Sequence, residues 1–262
     1  MKILCFFHCN LDYFCRFVYN EVGDKMQRYF AREKHETIFR LNDDDLYHIT
    51  VVMRMKPGDE IEVVYNQSVY LCCIENVNKE IVVRMKEEHQ QEKERIPRVI
   101  FCIPFLKEQK MDYILQKATE LGVSEIVPTV LNRSIIKLDD AKFQKKKVRW
   151  QKICKEASEQ SMRNMIPVIR DRMTLSEVAS LDGVKIVCST REKEKSLKKL
   201  LQTVGDCDTL VVVIGPEGGL EEEEESFLVD AGFSAVTLGN RILRVETVPL
   251  YVLSAINYNY ME

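Results

Sequence analysis

The chain has few of the residues that interrupt regular structure, with 10 glycines and 7 prolines among 262 residues. This scarcity predicts that most of the chain forms helices and strands. The nine cysteines are odd in number, repeat no spacing and include no Cys-x-x-Cys pair. We therefore expect neither a disulfide framework nor a bound metal, and the cysteine usage is typical of a protein of the reducing cytoplasm.

Long uncharged apolar segments are also missing. The apolar stretch at residues 3–19 is interrupted by Asp12 and Arg16 and lacks a small-residue cleavage site. A membrane span, a signal peptide and a membrane partner are therefore not expected. We expect residues 1–25 to be an extension outside the fold, either poorly ordered or the product of an upstream start.

The net charge of −3 argues mildly against a nucleic-acid partner, but the charges are unevenly distributed. Residues 133–172 contain twelve Lys and Arg against five Asp and Glu, whereas acids gather at 87–94 and 221–225. The basic run Lys145–Lys147 with Arg149 is ordinarily a solvated helix face. It becomes a plausible phosphate contact if the partner is RNA.

Residues 26–96 are predicted to form a small β-rich domain with a barrel-like architecture. Short runs rich in Val, Ile and Tyr predict strands at 36–40, 60–65, 69–75 and 80–85, with turns at 57–59 and 66–68. Asn42 is a candidate cap for one short helix. The charged segment 87–95 is predicted to be a linker.

Residues 97–262 are predicted to form an α/β domain. Apolar strands at 99–103, 125–131, 184–189, 209–214 and 234–238 alternate with helices at 110–121, 142–163, 221–231 and 248–258. This alternation is typical of a parallel sheet covered on both faces. Ligands of such sheets bind in the loops at the carboxyl ends of the strands.

The first glycine loop, Ile214-Gly215-Pro216-Glu217-Gly218-Gly219-Leu220, directly follows the most apolar strand. Glycines there allow a tight turn and a close approach of a ligand, although a structural turn is the simpler alternative. A phosphate loop is not indicated, because no Lys-Ser/Thr follows and Glu221–Glu225 repels phosphates. A cationic ligand without phosphate, such as S-adenosylmethionine, suits the site better.

The second glycine loop, Leu238 to Thr247, also follows a strand and leads into an apolar helix with Pro249 in its first turn. Thr247 is a candidate N-cap of that helix. Because both loops follow strands of one sheet, we expect them to face one pocket.

These motifs resemble the 16S ribosomal RNA uridine N3-methyltransferase family of the SPOUT superfamily. The most specific feature is the combination of Gly-Pro-Glu-Gly-Gly with Arg-Ile-Leu-Arg-x-Glu-Thr. The matching stretches are 107–123, 132–135, 156–167, 214–220 and 238–248. Val245 and Val248 stand where relatives often have Thr and Ala, and residues 1–25 have no counterpart.

The resemblance implies a knotted methyltransferase domain at 97–262, a PUA-like RNA-binding domain at 26–96 and a homodimer. It also implies that S-adenosylmethionine, bound in a bent form, methylates N3 of uracil 1498 in 16S ribosomal RNA or the small ribosomal subunit. Two alternatives stay open. One is a related enzyme that acts on transfer RNA, and the other is a non-catalytic RNA-binding assembly factor.

The resemblance also implies site residues. The expected catalytic residues are Arg244, Glu246 and Glu217. The expected cofactor-binding residues are Ile214, Gly215, Glu217, Gly218, Gly219, Leu238, Gly239, Arg241, Ile242, Leu243, Arg244 and Thr247. The expected RNA contacts are Arg28, Arg133, Lys137, Glu159, Gln160 and Arg163.

The reaction constrains these roles, because uracil N3 carries a proton at neutral pH that must leave. Arg244 cannot accept a proton but can stabilise a developing oxyanion, whereas Glu246 or Glu217 can accept one. Alternate residues of an extended loop point the same way, which predicts an ion pair between Arg244 and Glu246. Gly218 is expected to tolerate no side chain.

Overall fold

The computed structural model describes residues 26–77, 80–89, 97–136, 138–205 and 207–260. The chain divides into two compact units, residues 1–90 and 91–262. The expected extension at 1–25 and most of the expected linker lie outside the described residues. Among the helices that the structure describes, none is both long and apolar enough to cross a membrane.

The first unit is built on a six-stranded sheet. Its elements are β1 (Arg28–Phe30), β2 (Glu33–His35), β3 (Ile38–Arg40), α1 (Asp43–Tyr47), a π-helical turn (His48–Val52), β4 (Glu60–Tyr65), β5 (Ser68–Val77) and β6 (Glu80–His89). The strand order is β1-β4-β5-β6-β3-β2, with β1 parallel to β4 and the other pairs antiparallel. The described pairings leave β1 and β2 as edges, so the barrel stays a prediction.

Local signals explain most turns of this unit. The Asn42 side chain accepts a hydrogen bond from the Asp45 N–H at 2.8 Å and begins α1, as expected. Asn66 and Gln67 have φ of 49° and 67° and form the tight hairpin between β4 and β5. The β2–β3 hairpin, with Glu36 at φ 52°, was not predicted, because no glycine or proline marks it. The expected linker was also partly wrong, since β6 continues to residue 89.

The second unit alternates strands with helices. Its elements are β7 (Arg98–Pro104), α2 (Glu108–Glu120), β8 (Glu125–Thr129), α3 (Asp140–Gln160), β9 (Val168–Ile169), α4 (Leu175–Ala179), β10 (Val184–Cys188), α5 (Leu197–Val204), β11 (Thr209–Val213), α6 (Glu222–Asp230), β12 (Ser234–Val236) and α7 (Thr247–Tyr260). The sheet order is β12-β10-β11-β7-β8-β9, and all its pairs are parallel. The predicted parallel α/β domain is confirmed.

Apolar layers cover both faces of this sheet. In β7, Val99, Phe101 and Ile103 pack in one cluster with residues of α2, α3, α5 and α7. Ile100 and Cys102 point the other way, into a cluster with residues of α4 and α6. The strands are parallel and covered on both faces. Because they run in the same direction, their carboxyl ends lie at one edge of the sheet. The glycine loops emerge at that edge.

The end of α3 differs from the prediction. The helix ends at Gln160 instead of continuing to residue 163, and Met162 adopts φ 58°. This turn directs Arg163 into the interior, where its guanidinium donates to the Thr119 and Val123 carbonyls at 3.0 and 2.8 Å. Arg163 thus satisfies backbone groups at the end of α2, where helix carbonyls lack partners.

Arg163→Ala should lower the free energy of unfolding of the second unit by about 2–3 kcal/mol, because the buried Val123 carbonyl loses the Arg163 donor and the Thr119 carbonyl keeps only the Gly122 N–H. The measurement is urea unfolding followed by the fluorescence of Trp150, the single tryptophan, which lies in α3. Lys142→Ala removes an exposed pair with Asp139 on the same helix and should change stability by about 0.5 kcal/mol or less. Equal effects of the two variants would contradict the structural role of Arg163.

Candidate active site

A cavity of about 400 Å³ opens at the carboxyl edge of the second sheet. Its walls come from both glycine loops, from α2 and from the segment after β10. Eight sequence-predicted residues line it, namely Ile214, Gly215, Glu217, Gly219, Ile242, Leu243, Arg244 and Glu246. The two loops therefore face one pocket, as their positions after strands of one sheet predicted.

The first glycine loop doubles back tightly on itself. A Cβ at Gly215 would lie 2.7 Å from the backbone nitrogen of Leu220, which leaves no room for a side chain. Gly219 adopts φ 71°, a conformation that favours glycine. The expectation for Gly218 was wrong, because a Cβ there would make ordinary contact with the Arg133 side chain at 3.5 Å.

The second glycine loop turns just before α7. The Arg244 carbonyl accepts hydrogen bonds from the Thr247 and Val248 N–H groups at 2.9 and 3.2 Å, so this segment is a turn and not an extended strand. The expected Arg244–Glu246 ion pair was wrong, because the Glu246 carboxylate contacts Lys110 instead. Arg244 is exposed at the cavity, and among the described residues no carboxylate forms an ion pair with it.

Lys110, in the first turn of α2, binds both loops. Its ammonium lies 3.0 Å from Glu217 Oε1 and 3.4 Å from Glu246 Oε2. The Glu246 contact lacks hydrogen-bond geometry, and this oxygen has no hydrogen-bond partner although it is buried. Sequence reasoning missed Lys110, although it lies within the stretch 107–123 that carried part of the resemblance.

The Lys110–Glu217 pair remains charged around neutral pH. Partial burial acts to raise the pKa of Glu217, but hydrogen bonds from Lys110 and the backbone, with the charges of Lys110 and Lys107, hold it below its ordinary value. The hydrogen bond to Glu217 raises the pKa of Lys110, and Glu246 adds to this shift. The interaction is lost only as pH falls through the lowered pKa of Glu217 or rises through the raised pKa of Lys110.

A third wall follows β10 and was not predicted. Ser189 and Arg191 donate to the two carboxylate oxygens of Glu225 at 2.5 and 2.6 Å. Arg191 also donates to the Leu220 carbonyl at 2.9 Å and so ties this segment to the first glycine loop. Burial raises the pKa of Cys188, another lining residue, to about 12, so its thiol stays protonated.

Five predicted cofactor residues do not line the cavity, namely Gly218, Leu238, Gly239, Arg241 and Thr247. Leu238 packs against the main core, and Gly239 forms a turn with the Thr237 hydroxyl. Arg241 is exposed, and Thr247 is the first residue of α7 instead of its cap.

The predicted RNA contacts separate into buried and accessible residues. Arg28 is 1% exposed and donates to Glu62, and Arg163 is buried as described, so these two assignments are corrected to structural roles. Glu159 pairs with Lys155 at 2.5 Å, whereas Gln160 is exposed at the end of α3. Lys137 lies outside the described residues.

Arg133 remains accessible but already has partners. Its guanidinium donates to the Gly218 carbonyl at 2.9 Å and lies 3.8 Å from Glu221. In the basic run, Lys146 pairs with Glu108 and Lys147 with Asp171. Much of the positive charge that the sequence suggested for RNA is thus neutralised within the chain.

The parallel sheet and the glycine-lined cavity define an α/β enzyme, and comparison with known families defines its class. Residues 92–257 match the model of an RNA methyltransferase domain, and residues 41–88 match that of an RNA methyltransferase PUA domain. The protein is an RNA methyltransferase with an accompanying PUA domain. The enzyme class and the domain type expected from the resemblance are confirmed.

Comparison with individual relatives identifies the family within this class. Ribosomal RNA small subunit methyltransferase E of Bacillus subtilis (strain 168) is 36% identical over 248 residues, covering 89% of this chain and 96% of the relative. The enzyme of the same name from Mesomycoplasma hyopneumoniae (strain 232) is 32% identical, covering 87% and 98%. The Neisseria gonorrhoeae enzyme of that name, solved bound to S-adenosyl methionine, is 29% identical, covers 90% and 98%, and has a TM-score of 0.78. The chain belongs to the ribosomal RNA small subunit methyltransferase E family.

Gly215→Ala should destabilise the second unit by about 1–3 kcal/mol, because the new methyl group collides with the Leu220 backbone. Gly218→Ala, three residues away, should change stability by less than about 1 kcal/mol. Urea unfolding monitored by Trp150 fluorescence measures both effects. A Gly218 variant as unstable as the Gly215 variant would contradict the loop geometry.

Proposed function

We propose that this chain transfers the methyl group of S-adenosylmethionine to N3 of a uracil in 16S ribosomal RNA, as the free RNA or within the small ribosomal subunit. The observation that carries this proposal is the cavity between the two glycine loops, with Arg244 exposed at its wall and in no ion pair with any residue that the structure describes. Family membership supports the substrate class, and the family's specificity implies uracil 1498.

The cavity residues fit S-adenosylmethionine. Ile214, Leu220 and Val248 supply apolar surface for an adenine ring, and Gly215 leaves the backbone open to close approach. The buried Glu246 Oε2 lacks a hydrogen-bond partner, which suits a ligand that donates to it. Glu217, Glu225 and Glu246 line the cavity against Lys110 and Arg244, a balance that favours a cation over a phosphate.

The chain's own residues supply orientation and charge. S-adenosylmethionine, held by the residues of the two glycine loops, would supply an electrophilic methyl group for uracil N3 and would leave as S-adenosylhomocysteine. Arg244 stabilises the negative charge that develops on the uracil oxygens as N3 loses its proton. Glu246 accepts this proton, directly or through water, since Glu217 is held as a weak base by Lys110.

The finer features that the family resemblance implies belong to the same proposal. They are a trefoil knot in the second unit, a barrel in the first and a homodimer with its active sites near the interface. Support for the dimer comes from Ile242 and Tyr258, both 88% exposed, and from Tyr251 beside Tyr258 on the outer face of α7. Ribosomal RNA as substrate and the free thiols of the described cysteines agree with a cytoplasmic enzyme.

The proposed function is tested with purified protein, S-adenosylmethionine and small subunits or 16S ribosomal RNA from a strain that lacks this activity. Mass spectrometry of digested nucleosides should detect N3-methyluridine at one mole per mole of RNA or less. Transfer RNA is the matched alternative substrate. Methylation of transfer RNA alone would support the related enzyme, and no methylation together with no cofactor binding in calorimetry would support the assembly factor.

Arg244→Ala should lower the single-turnover rate of methyl transfer at saturating cofactor by about a hundredfold, because it removes transition-state charge stabilisation. Cofactor affinity should change much less. Arg241→Ala is the matched control, since Arg241 is exposed in the same loop but does not line the cavity. A normal rate for Arg244→Ala would remove Arg244 from the mechanism.

A further inference from the structure

We propose that Lys110 is a positioning residue for methyl transfer: by binding Glu217 and Glu246 together, it fixes both glycine loops against α2 and leaves Arg244 free for the uracil. This inference rests on the proposed function, because it assigns a task within that reaction.

Among the described residues that line the cavity, Lys110 is the one cation that contacts both glycine loops. Its single ammonium contacts carboxylates that are 29 residues apart in sequence, one in each glycine loop. About one third of the Lys110 and Glu217 side chains is exposed, so the pair lies at the cavity wall and not in the core. A surface pair of this kind contributes little to stability, which separates a positioning role from a structural one.

The charges around Glu246 explain why Arg244 depends on Lys110. The charged residues lining the cavity are Lys110, Glu217, Glu225, Arg244 and Glu246, and Lys107 adds its field at Glu217. Glu225 is already bound by Ser189 and Arg191. Without Lys110, the cation of this set nearest in sequence to Glu246 is Arg244, two residues away. Attraction between them would draw the guanidinium away from the substrate.

Removal of Lys110 also changes the protonation of the cavity. Glu217 and Glu246 would face each other without an intervening cation, and two such carboxylates resist simultaneous ionisation. The hydrogen bond that lowers the pKa of Glu217 would be lost as well.

The test is a double-mutant cycle between Lys110→Met and Arg244→Ala, measured as single-turnover methyl transfer to 16S ribosomal RNA at saturating cofactor. Lys110→Met should lower the rate at pH 7 by about tenfold or more, and Lys110→Arg should recover most of it. In the Lys110→Met background, Arg244→Ala should lower the rate only about tenfold or less, because Glu246 has already drawn the Arg244 guanidinium away from the uracil. Lys117→Met, which breaks a pair with Glu120 on the same helix, is the control and should retain the rate.

Each outcome bears on one claim. An inactive parent protein would refute the proposed function, and with it the task assigned to Lys110. With an active parent, a normal rate for Lys110→Met would overturn the positioning role. A slow Lys110→Met in which Arg244→Ala still costs the full hundredfold would reduce Lys110 to a structural residue. If Lys110→Met fails to fold, Lys110→Gln, which keeps hydrogen-bond donors without the charge, takes its place in the cycle.

Discussion

The close approach of Gly215 to the Leu220 backbone is the constraint on which the candidate site depends. It forces the first glycine loop to double back at the end of β11, and Gly219 completes the turn with a positive φ. The loop after β8 holds this turn from outside, since Asn132 and Arg133 bond to Glu224 and to the Gly218 carbonyl. The cavity is therefore formed by backbone geometry before any ligand is considered.

The charged residues of the cavity have different roles. Lys110 contacts the carboxylates of Glu217 and Glu246, and Arg191 binds that of Glu225. Among the described residues that line the cavity, Arg244 is the cation without a carboxylate partner. A guanidinium without a carboxylate partner is suited to charge that appears only during reaction, because no existing ion pair must be broken first. In the proposed mechanism, the same cavity would hold a cationic cofactor and stabilise an anionic transition state.

The sequence alone predicted the sheet, its covering helices and the two facing loops, since apolar runs and glycine clusters carry these features locally. It did not predict Lys110, because a lysine in the first turn of a helix gives no signal of partners 107 and 136 residues away. The predicted Arg244–Glu246 pair was wrong because the segment is a turn and not extended, and because Glu246 contacts Lys110, a partner that the sequence does not reveal. Arg28 and Arg163 were assigned to RNA on charge alone, and only the folded chain reveals their buried acceptors.

The most direct measurement of the central claim is the crystal structure of this protein with S-adenosylmethionine. Cofactor density is expected inside the cavity, against the backbone of residues 214–220 and 242–248, with Lys110 still bound to Glu217. Density elsewhere on the second unit, with the cavity holding only water at saturating cofactor, would contradict it.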